Sequence, residues 1–178
     1  MNYLAIALSL SLLLSPVLSQ EAKSDDSMKD CPMHAQHSAQ AHYAIVENHG
    51  DQAMGFPHDK TTHHFRMMGD GGAIEITVND ANDKPNTGAI RSHLSHITTM
   101  FSDGDFSTPM FIHDGVPPGV TTMKLMKSAI HYTYEEMPSG GRIRIKSDDP
   151  IAVAAIHDFV RFQITEHQTG DALEVAQK

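Results

Sequence analysis

The sequence predicts an α+β domain built from two ββα repeats, which form one four-stranded antiparallel sheet with the helices on one face. Two stretches with the alternating pattern of strands, residues 63–68 and 73–78, flank a glycine-rich turn. A similar pair, residues 130–134 and 142–146, flanks a second turn at residues 137–141. Each pair precedes a segment with helical spacing of apolar residues, so the same unit is expected twice.

The first unit is expected to bury one face of its hairpin. Alternation along the strands predicts that Phe65 and Met67 face the core, while His64 lies on the outer face. The following helix is expected to begin near Asn86 or Thr87, either of which can cap it. Its buried stripe consists of apolar residues at helical spacing, namely Ile90, Leu94, Ile97 and Phe101.

The second unit follows a connection at residues 105–128 and repeats this pattern. Tyr132 is expected to face the core, and His131 is expected on the outer face, at a position that matches His64. Asp149 followed by a proline is typical of a helix start, and Gly170 is typical of a helix end. The buried side of this helix also carries two polar residues, Gln163 and His167. For His167 the alternatives are a hydrogen bond inside the fold, a contact with the C-terminal end of the helix, or a pocket, and the helix-end contact is favoured.

Four segments are expected along the chain. Residues 1–19 are mostly apolar and end in small residues, which is typical of a cleaved secretory signal peptide. Residues 20–49 are poor in large apolar side chains and predict a flexible arm rich in His and Met. A single domain at residues 50–171 and a polar tail at residues 172–178 follow. These features predict a periplasmic or secreted protein without a membrane span once the signal is removed.

Charge and motifs argue against several classes of function. The formal net charge of −9 leaves no basic stripe for phosphates, so a nucleic-acid partner is not expected. The sequence contains no serine elbow, no phosphate-binding loop and no His-Glu-x-x-His zinc motif. An acidic chain is instead compatible with a cationic ligand.

Soft metal ligands are abundant in this chain, which contains 13 His and 11 Met residues. Imidazole, thioether and thiolate groups together favour copper, or alternatively zinc, over magnesium or calcium. Four candidate ligands lie close together within the arm, namely Cys31, Met33, His34 and His37. The single cysteine has no internal disulfide partner, so it is expected to be a metal ligand, part of an intermolecular disulfide or a free thiol. The alternative is a disordered tail with incidental metal affinity.

The folded part offers a second set of candidate ligands. His93, His96 and Met100 follow one edge of the first predicted helix, so their side chains are expected to converge beside the core. His63 is expected to point inward from its strand, beside Met54. The alternative is that Met100 fills core space and that His63 is a hydrogen-bonded core residue.

A small enzyme is the main alternative to a metal-binding protein. His113 follows a short apolar run and precedes a turn, so it is a candidate general acid or base, as is His63. Such an enzyme would work with or without zinc. A third hypothesis is a carrier of haem or a small ligand, although the sequence lacks the Cys-x-x-Cys-His haem attachment motif.

Two motifs resemble those of a family of exported bacterial proteins that is known as uncharacterised. The first runs from Met54-Gly55-Phe56 to Thr62-His63-His64-Phe65, and the second from His157-Asp158-Phe159 to Gly170-Asp171. The resemblance extends from about Gly50 to Asp171. It implies an exported bacterial protein with one domain, and it implies no activity, cofactor or catalytic residue.

The sequence therefore predicts a periplasmic copper-binding protein that functions in metal sequestration, delivery or tolerance. The arm would capture the ion, a folded site built from His63, His93, His96 and Met100 would hold it, and a metal-receiving protein is a possible partner. Because ligation requires neutral imidazoles, the affinity is expected to weaken as the pH falls through about 6.5.

Overall fold

A computed structural model of the chain describes residues 32–175, with side chains from residue 39 onward. The elements are α1 (Pro32–Met54), a 3-10 turn (His58–Lys60), β1 (Thr61–Met68), β2 (Gly71–Val78), α2 (Lys84–Ser102), α3 (Ser107–Ile112), α4 (Val120–Leu125), a second 3-10 turn (Lys127–Ala129), β3 (His131–Met137), β4 (Gly140–Lys146) and α5 (Pro150–Glu166). The predicted signal peptide at residues 1–19 lies outside the described residues. No helix within residues 32–175 is long and apolar enough to span a membrane.

The four strands form one antiparallel sheet in the order β1-β2-β4-β3, which confirms the predicted architecture. Phe65 pairs with Ile74, Ile74 with Ile143, and Ile143 with Tyr134, so one row of core residues crosses the whole sheet. Both hairpin turns are tighter than predicted, because the strands extend to within two residues of each other at 69–70 and at 138–139. The two repeats meet along the central strands β2 and β4.

Helices α2 and α5 pack on the same face of the sheet, and each covers mainly the hairpin of the other repeat. Helix α2 packs on β3 and β4, whereas α5 packs on β1 and β2. The glycines on this face allow the close approach, since a Cβ at Gly72 would lie 2.8 Å from Val160 of α5, and one at Gly141 would lie 3.2 Å from Leu94 of α2. The two repeats therefore share one hydrophobic core.

Helix α2 begins earlier than predicted. The Asp83 side chain accepts a hydrogen bond from the Asn86 backbone N–H at 3.1 Å and so caps the helix, and Pro85 occupies the first turn. An acidic cap followed by proline in the first turn is a favourable helix start. The predicted start at Asn86 or Thr87 was therefore wrong by about one turn, although the buried stripe of α2 is confirmed.

Helix α5 begins as predicted and ends before the predicted residue. The Asp149 side chain accepts hydrogen bonds from the first backbone N–H groups of the helix. The helix ends at Glu166 because Gln168 adopts a left-handed conformation with φ 49°, which stops the helical hydrogen-bonding pattern before Gly170. His167 is thereby placed at the end of the helix, where its ring turns toward β1.

The outer face of the sheet is polar and carries ion pairs. His64 and His131 both lie on this face, as predicted from strand alternation. The carboxylate of Asp171 lies 2.9 Å from His64 Nδ1 and 2.9 Å from an Arg66 guanidinium nitrogen. These contacts attach the segment after α5 to β1, so His64 has an ordinary structural partner.

Helix α1 occupies much of the segment that was predicted to be a flexible arm. Val46 is buried, at 1 % exposure, and α1 packs against α3. His49 stacks on Phe111 with ring centroids 4.7 Å apart, and His42 Nε2 lies 2.5 Å from a Glu166 carboxylate oxygen. The sequence did not predict this helix because it lacks an apolar stripe. One buried valine and several imidazole contacts attach it to the domain instead. Its second half is therefore packed on the domain.

Candidate functional site

Four side chains from four separate elements meet at one end of the core, and we call them the histidine pocket: Met54, His63, His93 and His167. Met54 ends α1, His63 lies on β1, His93 lies on α2 and His167 follows α5. All four line a common apolar cavity under the sheet. The tertiary fold thus combines soft ligands that are far apart in the sequence.

His63 is the centre of this pocket. Strand alternation places it on the core face, opposite Ile76, as the sequence predicted. Its Nε2 atom lies 3.3 Å from the thioether sulfur of Met54. Its ring is stacked on that of His167, with an interplanar angle of 8° and centroids 6.1 Å apart. One imidazole therefore contacts both a thioether and a second imidazole.

Aromatic contacts hold the other two imidazoles. His93 packs edge-to-face on Phe56, with ring centroids 5.7 Å apart. His167 stacks on Phe65 at 5.4 Å and packs edge-to-face against His113 at 5.1 Å. Because aromatic packing leaves the ring nitrogens free for other partners, these contacts orient the imidazoles without using their lone pairs.

Two cavities adjoin the histidine pocket. The outer cavity has a volume of about 230 Å³ and is lined mainly by polar residues, several of which belong to α1. The inner pocket is the apolar cavity under the sheet. It has a volume of about 70 Å³ and is lined mainly by apolar side chains of the core. Met54, His63 and His167 border both of them. The remaining residues of the outer cavity include Tyr43, Glu47, His58, Thr61, His64 and Thr169. The three shared side chains therefore lie between a polar entrance and an apolar interior.

Burial keeps the imidazoles of the pocket uncharged. Loss of hydration lowers the pKa of His63 to about 4, and the nearby His93 adds to this effect. Burial likewise lowers the pKa of His93 to about 4 and that of His167 to about 3. A neutral imidazole is the form that binds metal ions. Proton competition at this pocket is therefore expected near pH 4, below the value of about 6.5 for an unperturbed histidine.

His113, the candidate general acid or base, lies inside the fold beside Gln163 and Glu166. It is buried, its Nε2–H donates to Gln163 Oε1 at 3.1 Å, and its Nδ1 lies 3.7 Å from a Glu166 carboxylate oxygen. Burial lowers its pKa. Its ring packs against His167, and this contact helps to position a residue of the histidine pocket.

The other predicted ligands are separated from one another. His96 is exposed, whereas the Met100 sulfur lies 3.8 Å from the Thr108 hydroxyl and packs at the edge of the core. The expected convergence of His93, His96 and Met100 is therefore not observed. Cys31 lies outside the described residues. Three other candidates are in the first two turns of α1, namely Met33, His34 and His37, and their role stays a prediction.

The chemistry available to the pocket depends on Met54. Within residues 32–175, no group of three or more His, Cys, Asp or Glu side chains is arranged to hold a metal ion. Methionine is not among these four residue types, and the thioether sulfur of Met54 is a further potential ligand beside His63. Two donors that are each about 2 Å from one ion lie roughly 3 to 4 Å apart, and the 3.3 Å between His63 Nε2 and Met54 Sδ is within this range. The pair can share an ion without a large movement.

Comparison of the chain with protein-family models, with curated proteins and with solved structures gave no match. The pocket geometry is therefore the basis for any functional assignment. The sequence indicated an inward His63 beside Met54, but it favoured a helix-end role for His167. The polar pair Gln163 and His167 on an otherwise apolar helix face was the signal that pointed to a pocket.

Proposed function

We propose that this protein binds copper(I) in the histidine pocket, with Met54 and His63 as two of the ligands. The observation that carries the proposal is the 3.3 Å distance between a thioether sulfur and an imidazole nitrogen whose burial keeps it neutral. Thioether sulfur is a soft ligand that prefers copper(I) to harder divalent ions. His93 and His167 border the same pocket and are the candidate third ligands in this proposal.

The ligand set favours copper(I) over zinc. Structural zinc sites are almost always tetrahedral and use four Cys, His or carboxylate ligands. The histidine pocket offers imidazole and thioether groups, and it has neither a thiolate nor a carboxylate among the residues that border its inner side. Copper(I) accepts a small number of soft, uncharged ligands, so it fits this environment better than zinc does.

The outer cavity provides a route for the ion. Glu47 and His58 border it, and His58 Nε2 lies 3.1 Å from a Glu47 carboxylate oxygen. Acidic groups at a cavity mouth raise the local concentration of cations. Helix α1 forms this wall and also carries Met33, His34 and His37 near its start. In our proposal these residues and Cys31 capture copper in the periplasm, and the pocket stores it for sequestration, delivery to a receiving protein, or tolerance.

A matched pair of substitutions on one helix tests the proposal. His93→Gln removes an imidazole that borders the pocket, whereas His96→Gln removes an exposed imidazole one turn away. Competition titrations with a copper(I) chelator under anaerobic conditions should show an affinity at least about tenfold lower for His93→Gln, since even groups that only support a ligand cost this much. The affinity of His96→Gln should equal that of the wild type.

If His93→Gln and Met54→Leu both bind copper(I) with the affinity of the wild type, the histidine pocket is not the copper site. That result would favour the alternative in which the protein is an enzyme that uses these histidines. Circular dichroism and thermal unfolding of each variant would establish that a lost site does not reflect a lost fold.

A further inference from the structure

We propose that the carboxylate of Glu166 changes partner between His42 of α1 and His113 in the core, and that this exchange couples the docking of α1 to the histidine pocket. The exchange goes beyond the proposed function and does not depend on a bound ion. Three observations carry it: one carboxylate lies between two imidazoles, two buried polar atoms beside it have no partner, and the buried imidazole packs on the histidine pocket.

Glu166 lies between a surface histidine and a buried one. Its carboxylate oxygen Oε2 lies 2.5 Å from His42 Nε2 and 3.7 Å from His113 Nδ1. The side chain of His42 is 52 % exposed, whereas that of His113 is 1 % exposed. Glu166 is the last residue of α5, and its side chain is partly exposed. A movement of about 1 Å would bring its carboxylate within hydrogen-bonding distance of His113.

His113 has one paired and one unpaired ring nitrogen. Because burial lowers the pKa of His113, the ring is neutral and carries a single N–H. Its Nε2–H donates to Gln163 Oε1 at 3.1 Å, so Nδ1 carries no proton. This Nδ1 atom and Gln163 Nε2 are both buried, and neither has a hydrogen-bond partner in the described part of the chain. The arrangement in which His42 binds Glu166 therefore leaves two unfavourable polar atoms in the core.

A second arrangement of the same side chains pairs these two atoms. In it, His113 carries its proton on Nδ1 and donates to the Glu166 carboxylate. The amide of Gln163 turns over, so that its Nε2–H donates to His113 Nε2. The ring is neutral in both arrangements, so no net proton is gained or lost. Gln163 Oε1 then loses its partner, but a buried carbonyl oxygen without a partner is better tolerated than a buried N–H. His42 also loses its partner and is hydrated instead.

The docking of α1 selects between the two arrangements. His42 belongs to α1 and contacts Glu166 only while this helix lies on the domain. Release of His42 leaves the carboxylate free to move to His113. His113 packs edge-to-face on His167 at 5.1 Å, and His167 directly follows Glu166 in the chain. The exchange therefore acts on His167 from two sides, through its neighbour in the sequence and through its neighbour in the core.

Nitrogen-15 NMR of the metal-free protein tests the exchange, because long-range proton–nitrogen correlations show which ring nitrogen carries the proton. Spectra at about pH 8 lie above the usual histidine titration range, so a tautomer change is not mistaken for protonation. We expect His113 to be protonated mainly at Nε2 in the wild type and mainly at Nδ1 in His42→Ala. The ring signals of His167 should shift in the same variant. Gln40→Ala, a change at an exposed residue of α1, should leave both rings as in the wild type.

A double variant isolates the carboxylate. His42→Ala combined with Glu166→Ala should return the proton of His113 to Nε2, because Nδ1 then has no acceptor. The same tautomer in the wild type and His42→Ala, or an Nδ1–H that persists in the double variant, would overturn the exchange. Unchanged His167 signals in His42→Ala would overturn the coupling to the histidine pocket. Because His42 is exposed, its replacement leaves the core intact, and circular dichroism of each variant verifies this.

Discussion

His63 Nε2 lies 3.3 Å from Met54 Sδ, and this contact joins the end of α1 to the core face of β1. Nine positions separate the two residues in the sequence. The chain between them turns at Gly55, which has a φ of 75°, and the buried Phe56 anchors the connection. The thioether therefore reaches the histidine pocket only when α1 is docked on the domain, so copper binding and the docking of α1 should be linked.

Met54→Leu should weaken copper(I) binding while the fold is kept, because leucine has a similar volume and lacks the soft sulfur ligand. X-ray absorption of the copper-loaded protein should lose the contribution of a thioether sulfur in this variant. Met100→Leu is the matched control, since Met100 also packs at the core edge but does not border the inner pocket. A similar loss in both variants would show that the effect is a general one on packing.

Two truncated proteins should distinguish the role of the start of α1 from the role of its docked half. Deleting residues 20–38 should leave the free energy of unfolding nearly unchanged and lower the number of copper(I) ions bound, if Met33, His34 and His37 are ligands. Deleting residues 20–49 should instead destabilise the domain, because it removes the buried Val46 and the His49 stack on Phe111. This outcome differs from what a flexible arm at residues 20–49 would give, because the domain would fold equally well without such an arm.

The substitution Val46→Ala provides the control for the longer truncation. Removing two buried methyl groups should cost about 2 kcal/mol in the free energy of unfolding, from lost burial and the small cavity left behind. Urea unfolding of the variant and of both truncated proteins measures these differences. No destabilisation by either Val46→Ala or the longer truncation would mean that α1 is not docked in solution.

Acid should destabilise the copper-free protein over a defined pH range. In the folded state the pKa values of His63 and His93 are about 4 and that of His167 is about 3, whereas unfolded histidines titrate near 6.5. Between these values the unfolded chain binds protons that the folded chain does not, so stability falls as the pH falls. The slope is about 1.4 kcal/mol per pH unit for each such histidine.

Denaturant unfolding between about pH 7 and pH 4 measures this slope. His167→Phe keeps the ring and its stacking on Phe65 but cannot be protonated, so this variant should show a smaller slope. Gln52→Leu, a change at an exposed residue of α1 that removes no histidine, should keep the slope of the wild type. Identical slopes for the wild type and His167→Phe would show that His167 is hydrated in the folded protein.

Two glycine substitutions should have opposite effects on stability. A Cβ at Gly140 would lie 1.9 Å from the backbone oxygen of Ile76, so Gly140→Ala must displace β4 from β2 and should cost more than about 2 kcal/mol. Gly88 is exposed on α2 with nothing near its Cβ position, so Gly88→Ala should stabilise the protein by roughly 0.5 to 1 kcal/mol. Thermal unfolding of both variants checks the prediction, and a tolerated Gly140→Ala would contradict the observed pairing of β2 with β4.

Strand alternation was sufficient to place the pocket residue on β1. The same rule assigned Phe65 and Tyr132 to the core and His64 and His131 to the outer face, and the register confirms these positions. The helix-edge rule was less informative, because a helix has a wide boundary between buried and exposed sides. His93 and His96 are one turn apart at this boundary, and only the first borders the inner pocket.

The sequence by itself determined the repeated ββα pattern, the buried face of each element and the inward direction of His63, because these follow from local periodicity and short turns. Only the tertiary structure decided which histidines meet. The docking of α1 brings Met54 to His63, the crosswise packing of α5 on the first hairpin brings His167 beside them, and α2 contributes His93 while leaving His96 exposed. Contacts between distant elements depend on how the helices pack across the sheet, and that packing is set by the shape of the whole core, including the space left at Gly72 and Gly141.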